Sequence, residues 1–239
     1  MSMTIKWAAN LILLGAVVHM VSAQNKPPLV ATLAVLQSQW VLGQPVELQL
    51  IVTNQSSTVV KTSLELDPEF GDVSVFVSTD GSHFRQYLGP DWGTVDISRV
   101  TTLPPGASKH ATISVLWNND LYRKSDATGQ FLGFSGAGTY SVKAKVLTGL
   151  GPIESNSINV ALLSPTGVDE DVWEAIRNNS RLARFIQDPK PGEADSDKLE
   201  REVTRLVNTY PAATHSADMR KTLDKYSKRK EQMQKVQPH

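Results

Sequence analysis

The stretch Gly-Ala-Gly-Thr-Tyr-Ser-Val-Lys-Ala-Lys-Val, residues 136–146, carries the clearest indication of fold in this chain of 239 residues. From Tyr140 onward, apolar and polar residues alternate strictly. Alternation with a period of two is typical of a β-strand that buries one of its faces. We therefore predict a strand that begins close to Gly138 and Tyr140.

Other short segments with strand patterns precede this one. Residues 46–53 alternate in the same way. Residues 73–78 and 83–88 flank Asp80-Gly81, a frequent hairpin turn because its central positions accept a positive φ. Several short strands with turn signals between them, and with no helical period, indicate two packed β-sheets. We predict a mainly β, antiparallel sandwich over residues 24–163.

Pro105 and Gly106 belong to a predicted turn between two of these strands, Leu103-Pro104-Pro105-Gly106. Proline presets φ at the first central position of a type II turn, and glycine accepts the positive φ of the second. We therefore assign structural roles to Pro105 and Gly106.

Gly138-Thr139-Tyr140 resembles the tyrosine corner of immunoglobulin-like sandwiches, in which a tyrosine hydroxyl near the start of the penultimate strand bonds to backbone a few residues upstream. An ordinary strand tyrosine in another sandwich is the alternative. Together with Gly43–Leu48, Leu103–Gly106 and Trp117, this motif makes residues 29–163 resemble bacterial secreted immunoglobulin-like domains, including macroglobulin-like and proteinase-inhibitor-like modules. The resemblance implies an immunoglobulin-like scaffold with structural roles for Gly138 and Tyr140. It implies no particular activity, because one scaffold hosts many functions.

The N-terminus has the order of a secretory signal peptide. Lys6 precedes an apolar run from Leu11 to Val18, and the small-residue pattern Val21-Ser22-Ala23 follows. We predict that residues 1–23 are a signal peptide, that cleavage follows Ala23, and that the mature protein is secreted or periplasmic. A permanent membrane anchor is the alternative, although the apolar run is short for one.

Charge and cysteine content exclude several classes of function. Residues 1–23 contain one lysine and no acid, so the 24 basic and 24 acidic residues of the chain leave 23 and 24 after cleavage, a charge of −1. This balance predicts no attraction to nucleic acid and no membrane insertion after signal removal. Because the chain has no cysteine, disulfides, a thiol nucleophile and cysteine-bound metals are excluded.

Beyond the linker Ser164–Gly167 the pattern becomes helical, and we assign residues 164–239 to a helical appendage. We predict three helices: one that opens at Asp169 and ends before Pro189, one from about Ser196 to Tyr210, and one from about Ser216 whose charged end frays from about Lys228. Their apolar stripes need a cover, either the sandwich or a partner. We favour docking on the sandwich through Trp173 and Ile176.

Part of this appendage is similar to a single tetratricopeptide repeat, in Leu206–Pro211 and His215–Asp218. The tryptophan and glycine typical of such repeats are missing. One repeat cannot bury its own apolar face, which again implies docking.

We find no pattern that indicates catalysis or a cofactor. The histidines lack metal-ligand spacing, and no glycine-rich phosphate loop opens a helix. Asp67, Glu69 and Asp72 lie close together without the register of a calcium loop, so we interpret them as turn acids. The prediction is therefore a protein without catalytic, cofactor-binding or metal-binding residues.

Two loops are the candidate contact surfaces. Trp92 lies in a turn-rich segment, and tryptophan is a frequent binding hot spot. Leu121, Tyr122 and Arg123 lie in a long polar loop, residues 118–130, and such loops often carry function. Either loop could instead be a structural cover or a neutral insertion.

These features predict an exported, non-catalytic protein that binds another protein or an envelope polymer. A sandwich-type proteinase inhibitor, with the Trp92 or Tyr122 loop entering the enzyme, is the first alternative. A hydrolase with a site between sandwich and helices is the second, because sites assembled from distant residues leave no sequence motif.

Overall fold

The computed structural model describes residues 27–68, 71–90, 100–119 and 130–236. Its strands are β1 Leu29–Val35, β2 Gln39–Val41, β3 Val46–Asn54, β4 Val60–Ser63, β5 Val73–Ser78, β6 Arg85–Tyr87, β7 Val100–Leu103, β8 Ser108–Val115, β9 Gly138–Thr148, β10 Gly151–Glu154 and β11 Ile158–Leu163. Its helices are α1 Val168–Arg177, α2 Ser180–Gln187, α3 Ser196–Thr209 and α4 Thr214–Val236. The part of the chain with strands thus precedes the part with helices.

The strands form two main sheets. One has the order β1-β3-β8, and the other has the order β2-β11-β9-β5-β6 with β10 paired to part of β9. Strands β4 and β7 form a separate two-stranded ladder. The pairing is antiparallel except between β2 and β11, where Trp40 lies opposite Leu162 in a parallel pair. The prediction of antiparallel sheets is therefore confirmed for the described strands apart from this parallel pair.

Alternation in the sequence explains how the sheets share a core. Along β3 every second side chain is buried, and Val46, Leu48, Leu50 and Val52 have no exposed area. These side chains belong to the same hydrophobic core as buried residues of the other sheet, such as Val142 of β9. Each main sheet therefore turns one apolar face toward a common interior.

The helical part differs from the prediction in number and length. The first predicted helix is two helices, because Asn179 adopts an extended backbone and its side chain caps α2 by accepting a hydrogen bond from Leu182 N at 3.1 Å. Asparagine is a strong N-cap residue, so it begins a new helix where we predicted continuity. The last helix continues to Val236 instead of fraying from Lys228.

The helices pack on the end of the strand part. Their hydrophobic core includes Leu116, Trp117, Phe131 and Leu132, which lie outside the helices. At Gly43, whose φ is +90°, an added Cβ would lie 2.8 Å from Trp173 Cε3 and 3.3 Å from Ile176 Cδ1. Trp173 and Ile176 therefore touch the strand part, as predicted, and only glycine allows so close an approach.

Within the described residues, no helix combines the length and apolar character needed to cross a bilayer.

Candidate functional site

The candidate contact residues Trp92, Leu121, Tyr122 and Arg123 lie outside the described residues. The residues that precede their two segments are described, and they lie together. Asn119 N donates a hydrogen bond to Leu88 O at 2.8 Å. The described residues that precede positions 91 and 120 therefore lie side by side.

Further backbone hydrogen bonds hold the return of the second segment. Asn118 N donates to Phe131 O at 2.6 Å, and Gly133 N donates to Leu116 O at 2.7 Å. Trp117 forms an isolated bridge with Leu132. The described residues on either side of positions 120–129 thus belong to the same short ladder, which follows β8 in the chain.

Gln187, the last residue of α2, fixes this ladder to the helices. Its Oε1 accepts hydrogen bonds from Trp117 N at 2.6 Å and Leu116 N at 3.0 Å, and its Nε2 donates to Ser114 O at 2.7 Å. One buried amide therefore satisfies three backbone groups at the end of an edge strand. Such groups are costly to leave unpaired when they are buried.

Tyr87 completes the buried network from the other side. Its hydroxyl donates to Trp117 O at 2.7 Å and accepts from Gln187 Nε2 at 2.8 Å. Burial raises the pKa of Tyr87 well above its ordinary value, although hydrogen bonds from Gln187 and Leu116 oppose the shift. The phenol stays neutral and donates a hydrogen bond to the Trp117 carbonyl. This bond links Tyr87 to the short ladder around Trp117.

Three cavities, together called the cleft below, lie among the helices and between the helices and the strands. One cavity of about 340 Å³ lies between α2 and the amino end of α3, and it is lined by Arg181, Arg184, Phe185, Asp188, Glu193, Ala194, Ser196 and Leu199. A cavity of about 270 Å³ lies between α4 and the outer face of β3 and β8. A smaller cavity of about 140 Å³ shares Asp188 with the first and Lys225 with the second.

Asp188 is the most buried charge of this cleft. Its carboxylate lies 2.6 Å from Arg229 Nη1, 3.4 Å from Lys225 Nζ and 3.5 Å from Lys190 Nζ. Burial raises the pKa of Asp188, but the hydrogen bond from Arg229 and the charges of Arg229, Lys225 and Lys190 outweigh burial and leave the pKa below its ordinary value. The ionised carboxylate thus joins the end of α2 to the middle of α4.

Charged residues that line the cleft form ion pairs. Arg184 Nη2 lies 2.9 Å from Glu193 Oε1, and Arg181 forms an ion pair with Asp195. None of the lining residues of these three cavities is a histidine. In the stretches of chain that the structure describes, no three histidine, aspartate or glutamate side chains form a group able to hold a metal ion.

The residues with predicted structural roles lie at turns. The Tyr140 hydroxyl donates to Gly136 O at 2.8 Å and accepts from Gly136 N at 3.1 Å, four residues upstream, and Gly138 between them has a φ of +145°. Pro105 and Gly106 form a turn closed by a hydrogen bond from Ala107 N to Pro104 O at 3.0 Å, with a φ of +74° at Gly106.

Sequence reasoning missed Gln187, Asp188 and His215, which make the polar contacts of the junction. Gln187 had a detectable signal: it follows Ala183 by four residues, so it is a polar residue on the apolar stripe of α2. Asp188 and His215 had no such signal, because each acquires its partners from distant segments.

No family model matches this sequence, and no curated protein matches it. Solved structures with partial similarity include the CARDB domain of a Pyrococcus furiosus protein in complex with di-metal ions, at 12% identity over 56% of this chain and 87% of that chain, with a TM-score of 0.29. The sporulation control protein Spo0M of Bacillus subtilis is 12% identical over 64% of this chain and 56% of its own, with a TM-score of 0.34.

A Pseudomonas fluorescens alkylpurine DNA glycosylase bound to DNA is 14% identical over 58% of this chain and 31% of its own, with a TM-score of 0.32. This chain therefore spans little more than half of Spo0M and about a third of the glycosylase. At these identities and TM-scores, the similarities assign neither a family nor a function to this chain.

Proposed function

We propose that this protein is an exported, non-catalytic binding protein of the bacterial periplasm or exterior, with an immunoglobulin-like sandwich and a docked helical appendage. Its partner is another protein or an envelope polymer. The contact surface includes Trp92, Leu121, Tyr122 and Arg123 of the two candidate segments.

The sheet orders support the immunoglobulin-like part of the proposal. If β1, β3 and β8 correspond to strands A, B and E, then β11, β9, β5 and β6 correspond to strands G, F, C and C′. On this assignment Tyr140 lies at the start of strand F, where the tyrosine corner belongs, and its hydroxyl bonds to Gly136. Two further resemblances stay predictions: that of the strand part to macroglobulin-like and proteinase-inhibitor-like modules, and that of the helices to a tetratricopeptide repeat.

The hydrogen bond between Asn119 and Leu88 is the observation that carries the binding proposal. It brings the described residues before positions 91 and 120 together, which supports one contact surface formed by both segments. Loops positioned by a rigid scaffold are where binding residues concentrate. Aromatic and arginine side chains, such as Trp92, Tyr122 and Arg123, are the residue types enriched at binding hot spots.

The signal-like order of Lys6, an apolar run and Ala23 supports export. Protein recovered from the envelope fraction should therefore begin at Gln24, which intact-mass analysis measures. The binding test uses this material to capture partners from native envelope fractions and then measures affinity for the partner found. Trp92→Ala and Arg123→Ala should each weaken that affinity by roughly 30-fold, the effect of a hot spot of about 2 kcal/mol.

The matched control is Arg201→Ala, since Arg201 is an exposed arginine on α3. It should leave affinity unchanged, and all variants should keep the far-UV dichroism of the wild type. Leu150 at the β9–β10 turn is 58% exposed at the opposite end of β9 from the helices. Loss of binding in Leu150→Ser, with Trp92→Ala and Arg123→Ala unaffected, would move the contact surface to that end and contradict the proposal.

A further inference from the structure

His215 lies at the point where the helices meet the strand part. It is the second residue of α4, and its side chain is 2% exposed. The ring packs against the loop between β2 and β3, where an added Cβ on Gly43 would lie 3.1 Å from His215 Nε2. A titratable ring is thus enclosed between two parts of the fold that are more than 170 residues apart in sequence.

Both ring nitrogens of His215 face hydrogen-bond acceptors. Nε2 lies 2.7 Å from Leu42 O, a carbonyl that can only accept. Nδ1 lies 3.2 Å from Asp169 Oδ1 on α1. A neutral imidazole has one N–H and can donate to only one of these partners, whereas an imidazolium donates to both. The geometry is complete when each nitrogen carries a proton.

Asp169 is held as a carboxylate by other contacts. Its Oδ1 accepts from Thr214 N at 2.6 Å, and its Oδ2 accepts from Thr214 Oγ1 at 2.8 Å, so it caps the amino end of α4. Burial raises the pKa of Asp169, but the two hydrogen bonds from Thr214 and the nearby charge of His215 outweigh it and leave the pKa below its ordinary value. Near neutral pH this side chain therefore offers an acceptor and no donor to His215.

The other charged group beside this contact already has partners. Asp218, one turn further along α4, accepts from Gln44 Nε2 at 2.8 Å and lies 3.1 Å from Lys221 Nζ. The loop Leu42–Gln44 contributes no ionisable side chain, and Trp173 and Ile176 of α1 are apolar. Asp169 is thus the charged group in direct contact with the ring in the described part of the chain.

We propose that His215 is a proton-dependent lock that holds the helices on the strand part. With both nitrogens protonated, the ring clamps the Leu42 carbonyl and the Asp169 carboxylate together. When the ring loses one proton, Nε2 keeps its hydrogen bond to Leu42 O, because that bond is the shorter one. The lone pair of Nδ1 then faces the Asp169 carboxylate, and neither group can donate a hydrogen bond to the other. The contact between α1, α4 and the loop Leu42–Gln44 then weakens.

The direction of the pH effect follows from these charges. The imidazolium makes both bonds and the neutral ring makes only one, so this contact is stronger at low pH and weaker where the ring carries a single proton. Asp169 acts in the opposite direction: its contribution is present above its unfolded pKa and is lost as the pH falls through its lowered pKa. Acid therefore weakens the contact by protonating Asp169, and base weakens it by removing one proton from the His215 ring.

Hydrogen exchange on the full chain tests the lock. We expect the protection factors of amides around Gly43 and in the first turn of α4 to fall by roughly tenfold or more between about pH 5.5 and about pH 8.5, because one hydrogen bond between charged groups is lost. Long-range ¹H–¹⁵N spectra should show protons on both His215 nitrogens at the lower pH and on Nε2 alone at the higher pH.

Two variants separate a proton-dependent lock from a merely structural side chain. His215→Gln should remove the pH dependence of protection, whereas a structural role would lower protection equally at both pH values. Asp169→Asn keeps a good cap for α4 and removes the carboxylate, so it should reduce the pH dependence even if His215→Gln fails to fold.

His110→Gln, on the exposed edge of β8, is the matched control and should keep the wild-type pH dependence. The proposal is overturned if wild-type protection does not change between the two pH values, or if the Asp169→Asn variant keeps the full change. Because no partner takes part in this experiment, its outcome is independent of the proposed binding function.

Discussion

The strand part and the helical part of this protein are held together in different ways. The core of the strand part consists of apolar side chains from both main sheets, and it is continuous along their length. The core of the helical part takes Leu116, Trp117, Phe131 and Leu132 from outside the helices. The strand part therefore builds its main core from its own strands, whereas the helices complete their core with side chains that the strand part supplies.

The buried polar groups of the junction contact more segments of the chain than Tyr140 does in the strand part. In the strand part, Tyr140 bonds to the single turn at Gly136, and the buried Asn54 joins two segments through Thr58 O and Leu103 O. At the junction, Gln187, Asp188 and His215 each contact several segments. Networks of this kind are costly when one member is lost, because the remaining partners stay buried. The junction should thus be the most sensitive polar region of the molecule.

Deletion of residues 164–239 is the change with the largest expected effect. It uncovers four large side chains of the helical core, and burial of each contributes about 1.5–3 kcal/mol. We expect the remaining strand part to lose solubility, or its free energy of unfolding to fall by several kcal/mol in equilibrium denaturation. The exposed apolar patch should also cause association, which sedimentation measures.

A cleaved chain is the control for this deletion. Cutting only the linker Ser164–Gly167 keeps both parts present, so the fragments should stay associated with nearly the original midpoint. A truncated strand part that is monomeric, soluble and as stable as the whole chain would show that the helices serve a partner and not the fold.

Gln187→Leu is the next largest change. It keeps the size of the side chain and removes the hydrogen bonds of Gln187 to Ser114 O, Leu116 N and Trp117 N, although Leu116 N keeps the Tyr87 hydroxyl at 3.2 Å. Each buried group that loses its partner costs about 1–3 kcal/mol. We expect a decrease of about 3 kcal/mol or more in the free energy of unfolding, measured by urea denaturation. Gln86→Leu, at an exposed glutamine on β6, is the matched control and should change stability by about 0.5 kcal/mol or less.

The sequence predicts the strand part better than the helical part for a physical reason. Alternation along residues 46–53 reflects a sheet with one buried face, and the pattern survives in each strand without knowledge of its neighbours. The parallel pairing of Trp40 with Leu162 has no local signal, since it depends on which distant edge is free. The split between α1 and α2 has a local signal, because Asn179 is a strong N-cap residue that interrupts the apolar stripe.

The junction could not be predicted because its contacts join distant residues. Gln187 and Tyr87 are 100 residues apart, and His215 and Leu42 are 173 residues apart. Histidine and aspartate in a mainly polar helix are as common on solvated surfaces as at buried contacts. The candidate contact residues Trp92 and Arg123 stay predictions, since they lie outside the described residues.

Tyr140→Phe has the smallest expected effect on stability. Comparing it with Tyr87→Phe tests the strand part directly against the junction. Each substitution removes one hydroxyl and keeps the ring, so the edge-to-face contact of Tyr140 with Phe134, at 5.0 Å between centroids, is retained. In the strand part, Gly136 is half-buried, so water can replace part of what the Tyr140 hydroxyl provided. We expect the free energy of unfolding to fall by about 1 kcal/mol.

At the junction, Tyr87 is 1% exposed and its hydroxyl bonds to Trp117 O and Gln187, which water cannot reach without opening the contact. We expect Tyr87→Phe to cost about 2–3 kcal/mol, near the upper limit for a stranded buried group. Chemical denaturation of both variants at one pH measures the difference. Equal losses would mean that the junction is no more sensitive than an ordinary turn, and an unchanged midpoint for Tyr140→Phe would make Tyr140 an ordinary strand residue.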